Sequence, residues 1–162
     1  MAAAPTYRIH VGAVDWEHPQ WVGSFYPEDL PAEWRLAYYN QWFDCVLVPA
    51  HRWMAAAAEE LARWRADTLD RFRFVLETGP QPVPEEARAR AASLGPKLGM
   101  WYPTKGGGGP RLEWLLPGED MKQLAARLRA LAGQGHETYL IGQSPDAEYL
   151  NRVVTLLELL RL

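Results

Sequence analysis

The chain carries one cysteine, Cys45, in 162 residues. No internal disulfide can form, which excludes the small disulfide-stapled domains of secreted proteins and fits a reducing compartment. Basic charge is not in excess: 17 Lys and Arg stand against 20 Asp and Glu, for a net charge of −3. This balance argues against broad electrostatic attraction to nucleic acid or anionic lipid, which needs a basic face; it leaves room for a local basic pocket. No stretch approaches the roughly 18 consecutive apolar residues of a membrane span. The opening Met1 to Pro5 lacks the charged start and apolar run of a signal peptide. Tight ligand spacings such as His-Glu-x-x-His are missing too. The expectation is a cytoplasmic protein with no membrane contact, no metal and no cofactor.

What is present suits a single domain over residues 1–162. A chain of this length buries roughly two thirds of the surface that its unfolded form exposes, so a core can form without staples. Eight Trp and seven Tyr are many for the length. Such rings serve core packing, interfaces or stacking sites.

Strands and helices alternate along the chain. Tyr7 to Val14 reads as a strand, with Ile9 and Val11 on one face. A Trp-rich loop from Asp15 to Pro31 leads into a helix over Ala32 to Trp42. The apolar run in Asp44 to Pro49 is typical of a strand buried on both faces. Propensity predicts a helix over Met54 to Ala66. Strands are predicted over Phe72 to Glu77, Lys97 to Tyr102, Leu112 to Leu116 and Glu137 to Ile141. Further helices are predicted over Pro84 to Ser93 and Glu119 to Leu131. Ser144 reads as an N-cap and Pro145 as the first residue of a last helix, ending near Leu160. This alternation predicts one mainly parallel sheet.

The segment from Ile9 to Phe43 carries a specific likeness. Gly12-Ala-Val-Asp-Trp16, then Trp21, Phe25-Tyr26-Pro27, Trp34, Tyr38-Tyr39 and Phe43 follow one another in a pattern. It resembles the domain of unknown function 72 family. Phe72-Arg-Phe74, the Leu94 to Pro103 stretch and the closing Tyr139 to Leu160 unit resemble it as well. The resemblance implies an α/β fold of TIM-barrel type, with no established activity. At 162 residues there is too little sequence for eight βα units. The implied architecture is a reduced, incomplete TIM-barrel-like domain with fewer than eight strands. Departures from the pattern are informative. Asp15 stands where the family has Gly. Leu47-Val48-Pro49 replaces a Glu-x-Asn segment, Arg52-Trp53 an aromatic pair, Glu77 a Lys, and Ile141-Gly142-Gln143 a Phe-Asn-Asn.

Sites in parallel α/β folds gather beyond the carboxyl ends of the strands. Reading those ends yields the candidate binding residues Asp15, Trp16, His18, His51, Arg52, Trp53, Glu77, Lys105 and Gln143, with Glu17 beside them. Asp15 and Glu77 have the residue types of an acid–base pair. The plainer reading has them bonded to nearby backbone or paired with Arg52. Carboxylates and imidazoles at 15, 17, 18, 51 and 77 suit divalent ions chemically, but also suit a solvated loop. Gly142-Gln-Ser144 resembles half of a nucleophile elbow, lacking the second glycine and a following His. Gly106 to Gly109 offers backbone N–H groups to a phosphate, or simply a flexible loop. Trp16, Trp21, Tyr26 and Trp53 are read as packing rather than as a stacking platform.

The sequence therefore favours a non-catalytic binding or interaction domain that has lost most of its polar site residues. The alternative is a TIM-barrel-like enzyme acting on a phosphate-containing or nucleic-acid substrate. A shortened barrel exposes sheet edges, and the last helix is rich in Val and Leu from Val153 to Leu162. Both features predict a homodimer.

Overall fold

The computed structural model describes residues 8–104 and 108–162. Six strands form one sheet in the order β4-β3-β2-β1-β6-β5. They are β1 (Ile9–Val14), β2 (Cys45–Val48), β3 (Arg73–Glu77), β4 (Leu98–Tyr102), β5 (Arg111–Leu115) and β6 (Thr138–Gly142). All five pairings are parallel. β1 lies between β2 and the closing strand β6, with Gly12 opposite both Cys45 and Ile141. The sheet curls into a half-barrel, an incomplete version of a TIM barrel. β4 and β5 are its two edges, joined in the sequence by residues 103–110.

Helices α1 (Arg35–Trp42), α2 (Ala50–Trp53), α3 (Ala58–Ala66), α4 (Glu85–Ala91), α5 (Met121–Ala132) and α6 (Ala147–Leu160) complete the fold. Alternation along each strand sorts the core into two clusters. Val11, Ala13, Val46, Val48, Phe74, Leu76 and Leu140 pack with the helices. Cys45, Leu47, Val75, Met100, Tyr139 and Ile141 form the second cluster on the concave side, flanked by Val14, Leu112 and Trp114. This cluster is mainly apolar, and at its edge the buried His10 stacks on Tyr139 with ring centroids 4.7 Å apart. Across the opening, Trp114 Nε1 donates to the Tyr102 hydroxyl at 3.3 Å, so the two edge strands meet through side chains.

Two local expectations are corrected. The helix predicted over Met54 to Ala66 is shorter: α3 begins only at Ala58, and a separate single turn, α2, ends at Trp53 before the predicted start. The buried Trp53, which ends α2, and Ala56, between the two helices, hold the chain to the core. Trp53 Nε1 donates to the Glu77 carbonyl at 2.7 Å, a tertiary contact that overrides local propensity. The N-cap of α6 is Asp146, not Ser144, and the helix starts at Ala147 rather than Pro145. An Asp146 carboxylate oxygen accepts from Tyr149 N at 3.0 Å. Ser144 instead closes a tight turn, its carbonyl accepting from Asp146 N at 2.8 Å.

Helix α6 lies against the sheet through Leu150, Val153 and Leu157, which are buried. Val154, Leu156 and Leu160 pack at the margin of that core. Leu159 and Leu162 remain exposed. Among the described residues, no helix is long and apolar enough to cross a membrane.

Candidate functional site

The carboxyl end of β1 organises the rim. Asp15 leaves the strand with φ 61°, the left-handed region that costs an L-residue roughly 1–2 kcal/mol. Asp and Asn tolerate it best among residues with side chains, because they bond locally. Here one Asp15 carboxylate oxygen accepts from Trp16 N at 2.7 Å and Glu17 N at 3.1 Å. The same oxygen receives the Arg52 guanidinium as an ion pair. Asp15 N donates to the Leu47 carbonyl at 2.8 Å, which ties the turn to β2.

Arg52 comes from α2, directly after β2. Its guanidinium lies 4.0 Å from the Trp16 ring centroid and 5.9 Å from that of Trp64. Trp16 meets Trp64 edge-on at 4.9 Å. The cation is thus held by one carboxylate and two aromatic faces, an arrangement favoured by the ring quadrupoles.

The neighbouring groups are also occupied. One Glu77 carboxylate oxygen accepts from Ala50 N at 3.1 Å and so holds the start of α2. Glu17 pairs with Arg35. His18 Nε2 lies 2.7 Å from the Val14 carbonyl and 3.2 Å from that of Asp15. Carbonyls only accept, so this nitrogen carries the proton. The imidazole packs on Trp21 with ring centroids 4.3 Å apart. Trp21 in turn donates through Nε1 to the Pro145 carbonyl at 2.8 Å. The Tyr26 hydroxyl donates to the Trp16 carbonyl at 2.7 Å. Burial, with the charge of Glu17 added, pushes that hydroxyl well above the ordinary tyrosine range, so it stays protonated as a donor.

The structure therefore brings Asp15, Trp16 and Arg52 into direct contact, with His18 on the Asp15 turn and Glu77 bonded at the base of α2. Trp53 lies in the core beneath them. His51 is exposed on α2. Gln143 is exposed past β6, its N–H bonded to the Leu115 carbonyl at 2.9 Å, toward the other end of the rim. Lys105, with Gly106 and Gly107 of the glycine run, lies outside the described residues. Among the described residues, no three His, Cys, Asp or Glu side chains cluster as metal ligands would. A group that the sequence reading did not single out, Glu119 with Tyr149, borders a separate cavity past β5 and β6. No motif announces it, because its members lie 30 residues apart, Glu119 in the loop before α5 and Tyr149 in the first turn of α6.

Residues 10–161 match the family described as protein of unknown function DUF72. The chain belongs to this family. UPF0759 protein YecE of Escherichia coli K12 is 25% identical over 166 residues, covering 90% of this chain and 58% of that protein. The chain thus spans less than two thirds of the relative's length. No solved structure matches the chain.

The family-like residues of the first half now have physical roles. A Cβ on Gly12 would lie 1.9 Å from the Cys45 carbonyl oxygen and 2.9 Å from the Tyr39 hydroxyl. Only glycine admits that approach of β1 to β2. The Tyr39 hydroxyl accepts from Ala13 N and donates to the Cys45 carbonyl, each at 2.8 Å, and so fastens α1 between the two strands. Trp21, Phe25, Tyr26, Tyr38 and Phe43 form a continuous group of aromatic contacts. Asp15 supplies by local bonding the backbone conformation that the resemblance assigns to a glycine.

Proposed function

We propose that the chain is a non-catalytic binding domain whose contacts lie on the rim arc from β1 to β3. One observation carries this reading. Asp15, Glu77 and His18 each already have a partner within the fold: Asp15 holds Arg52 and two N–H groups, Glu77 bonds the start of α2, and His18 donates to backbone carbonyls. A general acid or base needs a free position facing substrate. The concave cluster supports the same reading, since the apolar Leu47 occupies the position that the resemblance assigns to a glutamate. The arc keeps the Arg52 cation and the exposed His51 as points of contact for a small-molecule or phosphate ligand.

Incubation with p-nitrophenyl phosphate, bis-p-nitrophenyl phosphate and single-stranded DNA tests the reading. No turnover above buffer is expected. Turnover that disappears in both Asp15→Asn and Glu77→Gln would establish an enzyme instead.

A second copy of the chain is the partner that the fold favours. Among the described residues, no strand pairs with the outer edge of β4 or of β5. Trp42 and Leu162, 47% and 45% exposed, border one groove with Phe43 and Leu157 at the opposite end of the barrel from the rim. Such a face is commonly covered by a two-fold contact. Light scattering over a hundredfold concentration range is expected to show a dimer mass; a monomer mass throughout rejects it.

A further inference from the structure

A cavity of about 300 Å³ lies past the carboxyl ends of β5 and β6, with Leu115, Pro117 and Met121 as its apolar side. Glu119, Ser144, Tyr149 and Arg152 supply its polar side. Its volume falls at the lower end of the roughly 300–1,000 Å³ found for small-molecule sites.

Two of the polar residues are incompletely satisfied by the fold. One Glu119 oxygen accepts from Arg127 Nη1 at 2.9 Å. The other, Oε2, is buried and has no hydrogen-bond partner among the described residues. Tyr149 is 7% exposed, and its hydroxyl also has no partner among the described residues. A buried polar group left unpaired costs about 1–3 kcal/mol, more when it is charged. Two of them beside one cavity mark a place built to receive complementary groups. Burial, and then the charge of Glu119, raise the Tyr149 hydroxyl above the ordinary tyrosine value, which keeps it a donor.

The charges select the kind of ligand. Asp146 closes the start of α6 by accepting from Tyr149 N, so that helix terminus does not face an anion with free N–H groups alone. Glu119 and Asp146 place two carboxylates around the cavity. Arg127 is already committed to Glu119, Glu113 and the Trp114 carbonyl. Arg152 is the one cationic side chain in the lining, with its guanidinium 5.9 Å from the Tyr149 ring centroid. A phosphate would meet more negative than positive charge. A hydroxyl answers both orphaned atoms at once, because it donates to a carboxylate while accepting from a phenol.

We propose that this cavity binds a small uncharged polyol of monosaccharide size, one hydroxyl of which donates to Glu119 Oε2 and accepts from the Tyr149 hydroxyl. The C–H face of the ring rests on Leu115, Pro117 and Met121. Arg152 and Ser144 bond further hydroxyls at the mouth. The site is separate from the β1–β3 arc and stands whether or not that arc binds a ligand.

The test is titration of the isotope-labelled chain with D-ribose, D-glucose and myo-inositol at millimolar concentrations, followed by backbone amide shifts. At least one of the three is expected to give saturable shifts at Gly142, Ser144 and Tyr149. Tyr149→Phe and Glu119→Gln are each expected to weaken that binding about tenfold. Tyr149→Phe removes an unpartnered hydroxyl and is expected to fold with unchanged or higher Tm, so its binding defect is readable. Absence of saturable shifts with all three compounds overturns the proposal. So does binding unaltered by Tyr149→Phe. Shifts at Gly142 to Tyr149 produced by inorganic phosphate and not by the polyols overturn it as well. Shifts confined to residues 15–18 and 51–53 overturn it while supporting a ligand on the arc.

Discussion

Replacing Asp15 separates two contributions that one residue makes at the end of β1. The first is its carboxylate, which accepts from two backbone N–H groups and pairs with Arg52. The pair is shielded, with side chains 17% and 21% exposed, so it is worth more than an ion pair in open solvent. Hydrogen bonds to a charged group contribute about 1.5–3 kcal/mol. Asp15→Ala is therefore expected to cost about 2–3 kcal/mol. The second contribution concerns the backbone at φ 61°. Asp15→Gly loses the same carboxylate but removes the left-handed strain, which is about 1 kcal/mol or more for a residue with a Cβ. Glycine should thus be the more stable of the two by about 1 kcal/mol. Asp15→Asn keeps an oxygen acceptor and tolerance of the left-handed region, and should cost least, about 1 kcal/mol. Urea unfolding followed by Trp fluorescence measures all three, since the buried Trp16, Trp21, Trp53 and Trp64 report on the core. An alanine variant as stable as the parent refutes the role of the carboxylate. An alanine variant more stable than the glycine variant refutes the backbone argument.

Gly12→Ala forces a Cβ onto the Cys45 carbonyl, so loss of more than about 2 kcal/mol is expected in the same assay. Tyr39→Phe leaves the Ala13 N–H and the Cys45 carbonyl without their buried partner; a loss of about 1–3 kcal/mol is expected, and a neutral effect refutes the bridging role. Burial, reinforced by the charges of Asp44 and Glu137, pushes the Cys45 thiol well above its ordinary value. Native protein is accordingly expected to resist a disulfide reagent at neutral pH and to react only on unfolding; rapid labelling of the native state refutes this.

Much of the architecture was legible because it depends on local pattern. The buried strands β2 and β6 are apolar runs, and α5 shows helical periodicity over a full three turns. The likeness over Ile9 to Phe43 placed β1, the aromatic loop and α1 together. What escaped the sequence depends on distant contacts. The break between α2 and α3 follows from Trp53 reaching the Glu77 carbonyl and meeting Trp101 at 5.5 Å, both in later strands. The start of α6 was misplaced because Ser144 and Asp146 are equally good caps two residues apart. Only the pairing of β5 with β6 decides how the chain turns there. The contact of Asp15 with Arg52 was visible as one option, since both residues follow neighbouring strands. Glu119 and Tyr149 were not visible, because neither belongs to a motif: one precedes α5 and the other opens α6, and only the sheet brings those two helix starts side by side.

The strand order also bears on how such a barrel is shortened. Going round the arc, the free edges belong to β4 and β5, which are consecutive in the chain. Sequence removed between them comes out as a wedge, and no remaining strand changes its neighbour. The seam between the first and last strands, where Gly12 faces Ile141, keeps its register through such a loss. The converse applies to engineering. A foreign segment spliced into residues 103–110 would enter and leave through the same gap, and could widen the arc without disturbing the seam or the aromatic loop beside it.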